Sequence, residues 1–169
     1  MLKLIEAFWK ICLLQLRPQD LPASNAFVGL SLGLYAITNL VGATLTLSPI
    51  TAVLASIMHT VLLMALTYLV LWTKELTPRF NQTLAALAGS NAVLTFIALP
   101  VLIWQLSNPT FPLPALMLIG LTIWNLTIVG HILRHATNIH ILMGMVLAVI
   151  YMYVAISIGQ SLFGTPTPS

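Results

Sequence analysis

Five long apolar stretches, separated by short polar breaks, make up most of this sequence. The five stretches cover residues 25–47, 50–73, 83–106, 113–133 and 138–162. None of them contains Asp, Glu, Lys or Arg, and each has about the length of roughly 20 residues that a helix needs to cross a bilayer. The pattern predicts an all-α fold, a polytopic membrane bundle of five transmembrane helices in a single membrane domain over residues 1–169.

Turn-forming residues mark the breaks between the stretches. Ser48-Pro49 separates the first two stretches, Thr77-Pro78 precedes the third, and a proline-rich run separates the third from the fourth. Proline lacks a backbone N–H, so it commonly lies at helix ends and in turns. Pro100 lies inside the third stretch, where neighbouring helices can satisfy the carbonyl that it frees. Pro100 is therefore predicted to kink the third helix without ending it.

Residues 1–18 have a different pattern, in which charged residues recur on one helical face. These residues are Lys3, Glu6, Lys10 and Arg17. Apolar side chains cover the rest of the helix, which is the pattern of an amphipathic helix lying in the membrane interface. Glu6 and Lys10 are spaced for an i,i+4 ion pair. The bundle is thus predicted to follow an N-terminal amphipathic interfacial helix; the alternative is a helix packed against a partner protein.

Composition excludes a soluble fold, because the chain is 59% hydrophobic and only 5% charged. A soluble domain carries about 25% charged residues, which it needs for its water-facing shell. The net charge of +3 is too small and too scattered for a nucleic-acid surface. The predicted partners are therefore membrane lipids and other membrane protein subunits, and no nucleic acid. The single cysteine excludes an internal disulfide framework.

All six Lys and Arg residues fall before the first stretch, between the second and third, or between the fourth and fifth. With five spans, these three regions lie on one side of the membrane. The positive-inside rule assigns that side to the cytoplasm. We expect a multi-pass protein of the bacterial inner (cytoplasmic) membrane, with the N-terminus in the cytoplasm and the C-terminus on the outer side.

Small residues within the stretches are candidates for helix packing, because they let helix backbones approach each other in a membrane. Gly29 and Gly33 form a G-x-x-x-G pair in the first stretch, and Gly144 and Ala148 share a face of the fifth. The pair alone is a weak signal for dimerisation. We expect packing within the chain.

Polar residues inside the stretches give a candidate polar interior, formed by His59, Asn91 and Asn125. His59 is most simply a hydrogen-bonded interior residue, and the asparagines are placed to bridge helices. His59 lies in the outer half of its span and His131 near the inner end of another, so the two do not suit a bis-histidine haem. No span contains an acid, and the sequence predicts neither a catalytic residue nor a cofactor.

A histidine- and arginine-rich segment runs from the end of the fourth stretch into the start of the fifth. His131, Arg134, His135 and His140 are the candidate contacts for a lipid headgroup or a partner protein. The alternative is that they only anchor the end of a helix at the membrane surface. His131 and His135 have a spacing that a metal could bridge, but no carboxylate or cysteine is near to complete a site. We predict no metal.

The region from Leu113 onward resembles the bacterial branch of the Yip family of five-span proteins. The resemblance includes Ile123-Trp124-Asn125, the polar turn 134–138 and the last span, together with the proline-containing turn 17–22. It implies a five-helix bundle with no known catalytic activity. The family's Asp-Leu-x-Gly-Pro type of motif is reduced here to Asp20-Leu21-Pro22, and we do not carry over the trafficking role of the eukaryotic relatives.

Three functions are compatible with these features. The first is a non-catalytic accessory or scaffold subunit of a larger inner-membrane assembly, because the chain has short loops and no acid in its spans. The alternative is a small transporter or channel with a polar path through the bundle, lined by His59, Asn91, Asn125 and His131. A lipid-handling enzyme that uses the histidines near Arg134 is a third and weaker hypothesis.

Overall fold

The computed structural model describes residues 2–163 and confirms an all-α chain over that range. Its helices are α1 (Leu2–Cys12), α2 (Asn25–Thr44), α3 (Pro49–Trp72), α4 (Phe80–Ser107), α5 (Pro112–Thr137) and α6 (Ile141–Phe163), with short 3-10 turns over Pro18–Asp20 and Thr77–Arg79. Helices α2 to α6 are long and apolar enough to cross a membrane. The chain is a multi-pass membrane protein. The side chain of Lys3 and the predicted outer C-terminus, residues 164–169, lie outside the described residues.

Serine caps fix where two of the spanning helices begin. The Ser24 hydroxyl accepts a hydrogen bond from the Phe27 backbone N–H at 3.2 Å, and the Ser48 hydroxyl accepts one from Thr51 N–H at 3.4 Å. Each cap satisfies one of the backbone donors that a helix start leaves free. Pro49 follows its cap directly, at the position where a proline removes no helical hydrogen bond.

The ends of α5 and α6 differ from the predicted spans. Helix α5 continues four residues beyond 133, and the positive charge of Arg134 in its last turn interacts favourably with the helix dipole. Asn138 then adopts a left-handed conformation, with φ of 57°, and ends the helix. Helix α6 begins only at Ile141, three residues later than predicted. At the opposite end of the bundle, α2 stops at Thr44, before the predicted residue 47.

Helix α4 lies at the centre of the bundle. It packs against α1, α2, α3 and α5, and it is the most buried of the five spanning helices. Helix α6 packs mainly on α5, and it contacts α3 only sparingly. Pro100 lies inside α4, which continues to Ser107, so the proline does not end the helix.

Helices α5 and α6 approach each other closely at two glycines. A Cβ atom added to Gly144 would lie 2.5 Å from the carbonyl oxygen of Gly130. Real Cβ atoms do not come so near a backbone oxygen, so only glycine allows this approach. Gly144 thus packs at a helix interface, and Ala148, one turn further along α6, is buried.

The packing within the chain that the sequence predicts for Gly29 and Gly33 is not found. A Cβ atom added to either glycine would meet no atom within 4 Å. Both glycines lie on an exposed face of α2, which is the least buried spanning helix. No neighbouring helix among the described residues uses the close approach that this G-x-x-x-G pair allows.

Helix α1 packs against α4 and is joined to α5 by a hydrogen bond. Phe8 fills the space beside Gly89 of α4, and Ile11 and Cys12 are fully buried. The Trp124 indole N–H of α5 donates a hydrogen bond to the Cys12 carbonyl at 3.0 Å. The buried face of α1 therefore holds it on the bundle, and its position relative to the lipid surface stays a prediction.

The predicted ion pair of α1 forms on the exposed side of the helix. The Lys10 ammonium lies 2.8 Å from a carboxylate oxygen of Glu6. The hydrogen bond from Lys10 and its positive charge lower the pKa of the Glu6 carboxyl below its ordinary value. Because both side chains are exposed, water screens the pair and it adds little stability. The buried face of α1, and not this ion pair, keeps the helix docked on the bundle.

Candidate functional site

Three segments that carry cations meet at one end of the bundle. The Gln19 side chain, in the turn after α1, donates to the His135 carbonyl of α5 at 2.6 Å. The Arg79 guanidinium, just before α4, donates to the Ala136 carbonyl at 3.0 Å. Gln82 donates to the Gln19 carbonyl at 3.1 Å and closes the network. We call this region, which bears Arg17, Lys74, Arg79 and Arg134, the basic end.

His131 and His135 form the centre of the candidate headgroup site at the basic end. Their rings stack edge to face, with centroids 4.5 Å apart. Arg17 and Arg134 lie within electrostatic reach of both rings. The Nε2 atom of His131 is buried and has no hydrogen-bond partner among the described residues. A cluster of two arginines and two imidazoles offers many hydrogen-bond donors, which suits an anionic oxygen such as that of a phosphate.

The carboxylate of Asp20 also lies near this cluster, and it already accepts one hydrogen bond. Asp20 lies within electrostatic reach of His135, and its carboxylate accepts a hydrogen bond from the Arg17 backbone N–H at 3.1 Å. Among the described residues, no group of three His, Cys, Asp or Glu side chains is close enough to hold a metal ion. The arrangement favours anion binding through the arginines.

His140 has a different place from the other two histidines. It precedes α6, and its Nδ1 atom accepts a hydrogen bond from the Leu142 backbone N–H at 3.4 Å. The His140 carbonyl also accepts from Met143 and Gly144. His140 therefore caps the start of α6, a role that the sequence did not predict because histidine is an unusual N-cap.

The polar interior is built on a pair of asparagines. The Asn125 amide of α5 donates to the Asn91 side-chain oxygen of α4 at 2.7 Å, and the Asn91 amide donates to the Leu87 carbonyl at 2.8 Å. The two predicted residues thus bridge two helices. His59, on α3, is half-buried. It makes no hydrogen bond to another described residue, although the sequence predicts a hydrogen-bonded interior residue there.

A second polar bridge was not predicted. The hydroxyl groups of Tyr35 on α2 and Tyr151 on α6 lie 3.3 Å apart, which is hydrogen-bonding distance. Tyrosine is common in membrane helices as an interfacial anchor, so its presence alone does not identify a buried bridge. Both tyrosines lie near the middle of their spans, and this position could have indicated a buried bridge. The bridge joins two helices that are far apart in sequence.

We expect the asparagine pair to contribute measurably to stability. Asn91→Leu and Asn125→Leu should each lower the free energy of unfolding by about 0.6–1.7 kcal/mol, the range of interhelical hydrogen bonds in membranes. The double variant should lose less than the sum, because the two changes remove the same bond. Reversible unfolding in mixed detergent micelles measures these energies, and strict additivity would show that the bond contributes nothing.

Two cavities flank the asparagine pair. One, of about 170 Å³, lies among α3, α4, α5 and α6 and is lined in part by Asn91. The other, of about 290 Å³, lies between α4 and α5 and is lined in part by Asn125 and Thr122. His59 and His131 line neither cavity. Of the four residues predicted to line a polar path, the structure brings only the two asparagines together.

Cys12 provides a direct probe of the docked N-terminal helix. Burial raises the pKa of the Cys12 thiol to about 11, and the side chain is fully buried. Since the thiolate is the reactive form, we expect no labelling by a maleimide at pH 7.5 in the folded protein and complete labelling after unfolding in SDS. Leu13→Cys in a Cys12→Ser background, at a 41% exposed position, is the control that should react at once. Rapid labelling of native Cys12 would contradict the docking of α1.

The chain was compared with known protein families, with curated proteins and with solved structures, and none of them matches it. Its function must therefore be inferred from its own residues. The features that bear on function are the basic end, the asparagine bridge with its two cavities, and the exposed glycines of α2.

Proposed function

We propose that this protein is a non-catalytic integral membrane subunit, an accessory or scaffold component of a larger inner-membrane assembly. The single observation that carries the proposal is that two glycines one turn apart on α2 leave room for close helix packing that no helix among the described residues uses. Gly89, Gly130 and Gly144 each lie against a neighbouring group of the same chain. Gly29 and Gly33 lie on one open face and contact none.

That open face has the features of a helix-binding surface. The two glycines are one turn apart, and exposed Leu30, Leu34 and Ile37 lie beside them. Hydrophobic burial does not drive helices together in lipid, so association depends on close packing, and G-x-x-x-G pairs permit it. A helix of another subunit could approach α2 here as closely as α6 approaches α5 at Gly144. We name this surface, Gly29 to Ile37, the glycine face.

The basic end supports an orientation for the proposed subunit. One end of the bundle carries Arg17, Lys74 and Arg79 on its connections and Arg134 in the last turn of α5. The positive-inside rule assigns such an end to the cytoplasm. The N-terminus would then be cytoplasmic, and the last helix would lead outward. In that position, His131, Arg134 and His135 would face the headgroups of the cytoplasmic leaflet or a partner. The five-span count and the N-terminal helix also support a Yip-like membership as part of this proposal.

A purification experiment tests the glycine face directly. The full chain is purified in mild detergent after crosslinking in membranes, and mass spectrometry locates the crosslinked residues. We expect crosslinks from α2 to a second membrane protein, and we expect Gly29→Leu/Gly33→Leu to abolish them. Gly120→Leu is the matched control, because Gly120 is also exposed and has open space around it. A monomer free of partners, or equal crosslinking by all variants, would refute the proposal.

The cavities beside the asparagine bridge favour a second candidate function, a small transporter. A solute path would run from one cavity to the other past Asn91 and Asn125. The cavity at Asn91 is lined almost wholly by apolar groups, so an uncharged solute would fit and an ion would not. Uptake of uncharged solutes into proteoliposomes that changes in Asn125→Leu would support transport. Equal flux in protein-free vesicles would rule it out.

A further inference from the structure

We propose that the cleft between α3 and α6 binds one acyl chain of an acidic phospholipid, whose headgroup is held by Lys74 and His140. The cleft is the cavity of about 170 Å³ that Leu63, Val70, Leu133, Leu147, Ala148 and others line. This inference goes beyond the subunit role and does not depend on it, since the cleft and the glycine face involve different helices. It gives the chain a specific lipid site, distinct from general contact with the bilayer.

The cleft is dry, because each of its polar lining groups already has a partner. The Thr67 hydroxyl donates to the Leu63 carbonyl at 2.6 Å. Asn91 is bonded to Leu87 and Asn125, and the Tyr151 hydroxyl lies 3.3 Å from that of Tyr35. A water molecule needs two or more free polar groups to remain in a cavity. The contents of this cleft must therefore be apolar.

The cleft opens sideways to lipid. Leu69 of α3 and Ile150 of α6 both line it, and they are 50% and 51% exposed. These two helices contact each other only sparingly, so the gap between them faces the bilayer. A cavity of about 150 Å³ in a protein core is large enough for benzene. The cleft thus has room for a short section of an acyl chain entering from the side.

Two polar side chains lie at the end of the cleft nearest the basic end. On α3, Leu63, Thr67 and Val70 share the face that lines the cleft, and Lys74 is next on that face, four residues beyond Val70. The Leu76 backbone N–H donates to the Leu71 carbonyl, so the helical path extends through Lys74. Lys74 is exposed and forms no ion pair with another described residue.

His140 occupies the corresponding place on the other side of the cleft. On α6, Leu147, Ala148 and Tyr151 line the cleft, and His140 is the capping residue directly before that helix, seven positions before Leu147. Its Nδ1 atom accepts the hydrogen bond from Leu142, which leaves the Nε2–H group as the donor of the ring. The side chain is exposed. An ammonium and an imidazole N–H therefore flank the same end of an apolar cleft.

This combination selects a ligand with an apolar chain and an anionic head. In a bilayer every acyl chain is already in an apolar solvent, so filling the cleft cannot by itself select one lipid. Selection requires the headgroup, and basic groups at helix ends attract anionic headgroups. An acidic phospholipid such as phosphatidylglycerol meets both conditions, whereas phosphatidylcholine meets only the first.

Native mass spectrometry of the full chain in detergent tests the proposal, with phosphatidylglycerol and phosphatidylcholine of identical acyl chains as probes. We expect the wild type to retain one phosphatidylglycerol with about tenfold preference over phosphatidylcholine. Ala148→Phe, which fills the cleft, should lower that retention by about tenfold. The matched control Val149→Phe, at an exposed neighbouring position, should retain the lipid as the wild type does.

A second variant keeps the test valid if Ala148→Phe fails to fold. Lys74→Gln/His140→Asn removes both headgroup donors on the exposed surface, and asparagine preserves the cap of α6. It should bind the two lipids equally. Equal retention of both lipids by the wild type, an unchanged preference in this double variant, or a lipid-free dimer that fills the cleft with a second copy would each overturn the proposal.

Discussion

Gly144→Ala is expected to destabilise the protein by about 2–3 kcal/mol, because the new Cβ atom would clash with backbone and not with a flexible side chain. That Cβ atom would lie 2.5 Å from the Gly130 carbonyl oxygen and 3.0 Å from the Gly130 Cα. Helices α5 and α6 would have to separate, and they would lose contact along their length. Unfolding by SDS in mixed micelles, followed by circular dichroism, measures the change.

Gly120→Ala provides the matched control on α5. A Cβ atom added at Gly120 meets nothing within 4 Å, so only the helix propensity changes, and alanine should stabilise the helix by up to about 1 kcal/mol. The two substitutions are chemically identical and should have opposite signs. A loss of similar size at both positions would show that α5 and α6 do not pack through their backbones at Gly130 and Gly144.

Gly89→Leu is expected to release α1 from the bundle, because leucine would occupy the space that Phe8 fills. The three atoms nearest to a Cβ added at Gly89 all belong to the ring of Phe8. Phe8→Ala should act in the same direction by removing the anchor, since a Phe→Ala substitution in a packed core costs about 3–5 kcal/mol. Both variants should make the Cys12 thiol react with maleimide at least about tenfold faster, since reaction follows the open population.

Trp9→Ala is the control for the release of α1, because Trp9 is adjacent to Phe8 but 43% exposed. Its Cys12 thiol should stay as unreactive as that of the wild type. The five spanning helices should persist in all three variants, which helix content by circular dichroism can verify. If Gly89→Leu left Cys12 protected, the contact between Phe8 and α4 would not be what holds α1.

The five spanning helices were predictable because their signal is local. An uncharged run of about 20 apolar residues has one stable form in lipid, a helix that satisfies its own backbone. The ends of the helices were less predictable, because they depend on caps. Asn138 in a left-handed conformation and His140 as a cap together move the junction of α5 and α6 by several residues.

The sequence identified Asn91 and Asn125 as bridging residues, but the partner of a given residue was predictable only where sequence neighbours determine it. His131 and His135 meet because an i,i+4 spacing places them on one helical face. Arg17 approaches both rings, and Phe8 approaches Gly89, because α1 docks on the bundle. No local sequence pattern predicts where α1 docks. The same limit explains Gly29 and Gly144, which look alike in sequence although only Gly144 meets a neighbouring helix of the chain.

We propose that the five apolar helices cross the membrane with the basic end wholly in the cytoplasm. Single cysteines at Lys74, Asn108 and Arg134, in a Cys12→Ser background, can be labelled in intact cells with a membrane-impermeant maleimide. We expect labelling at Asn108, which is exposed on the connection between α4 and α5, and none at Lys74 or Arg134 until the membrane is opened. Labelling of Lys74 and Arg134 from opposite sides would contradict the five-span architecture and the functions proposed on it.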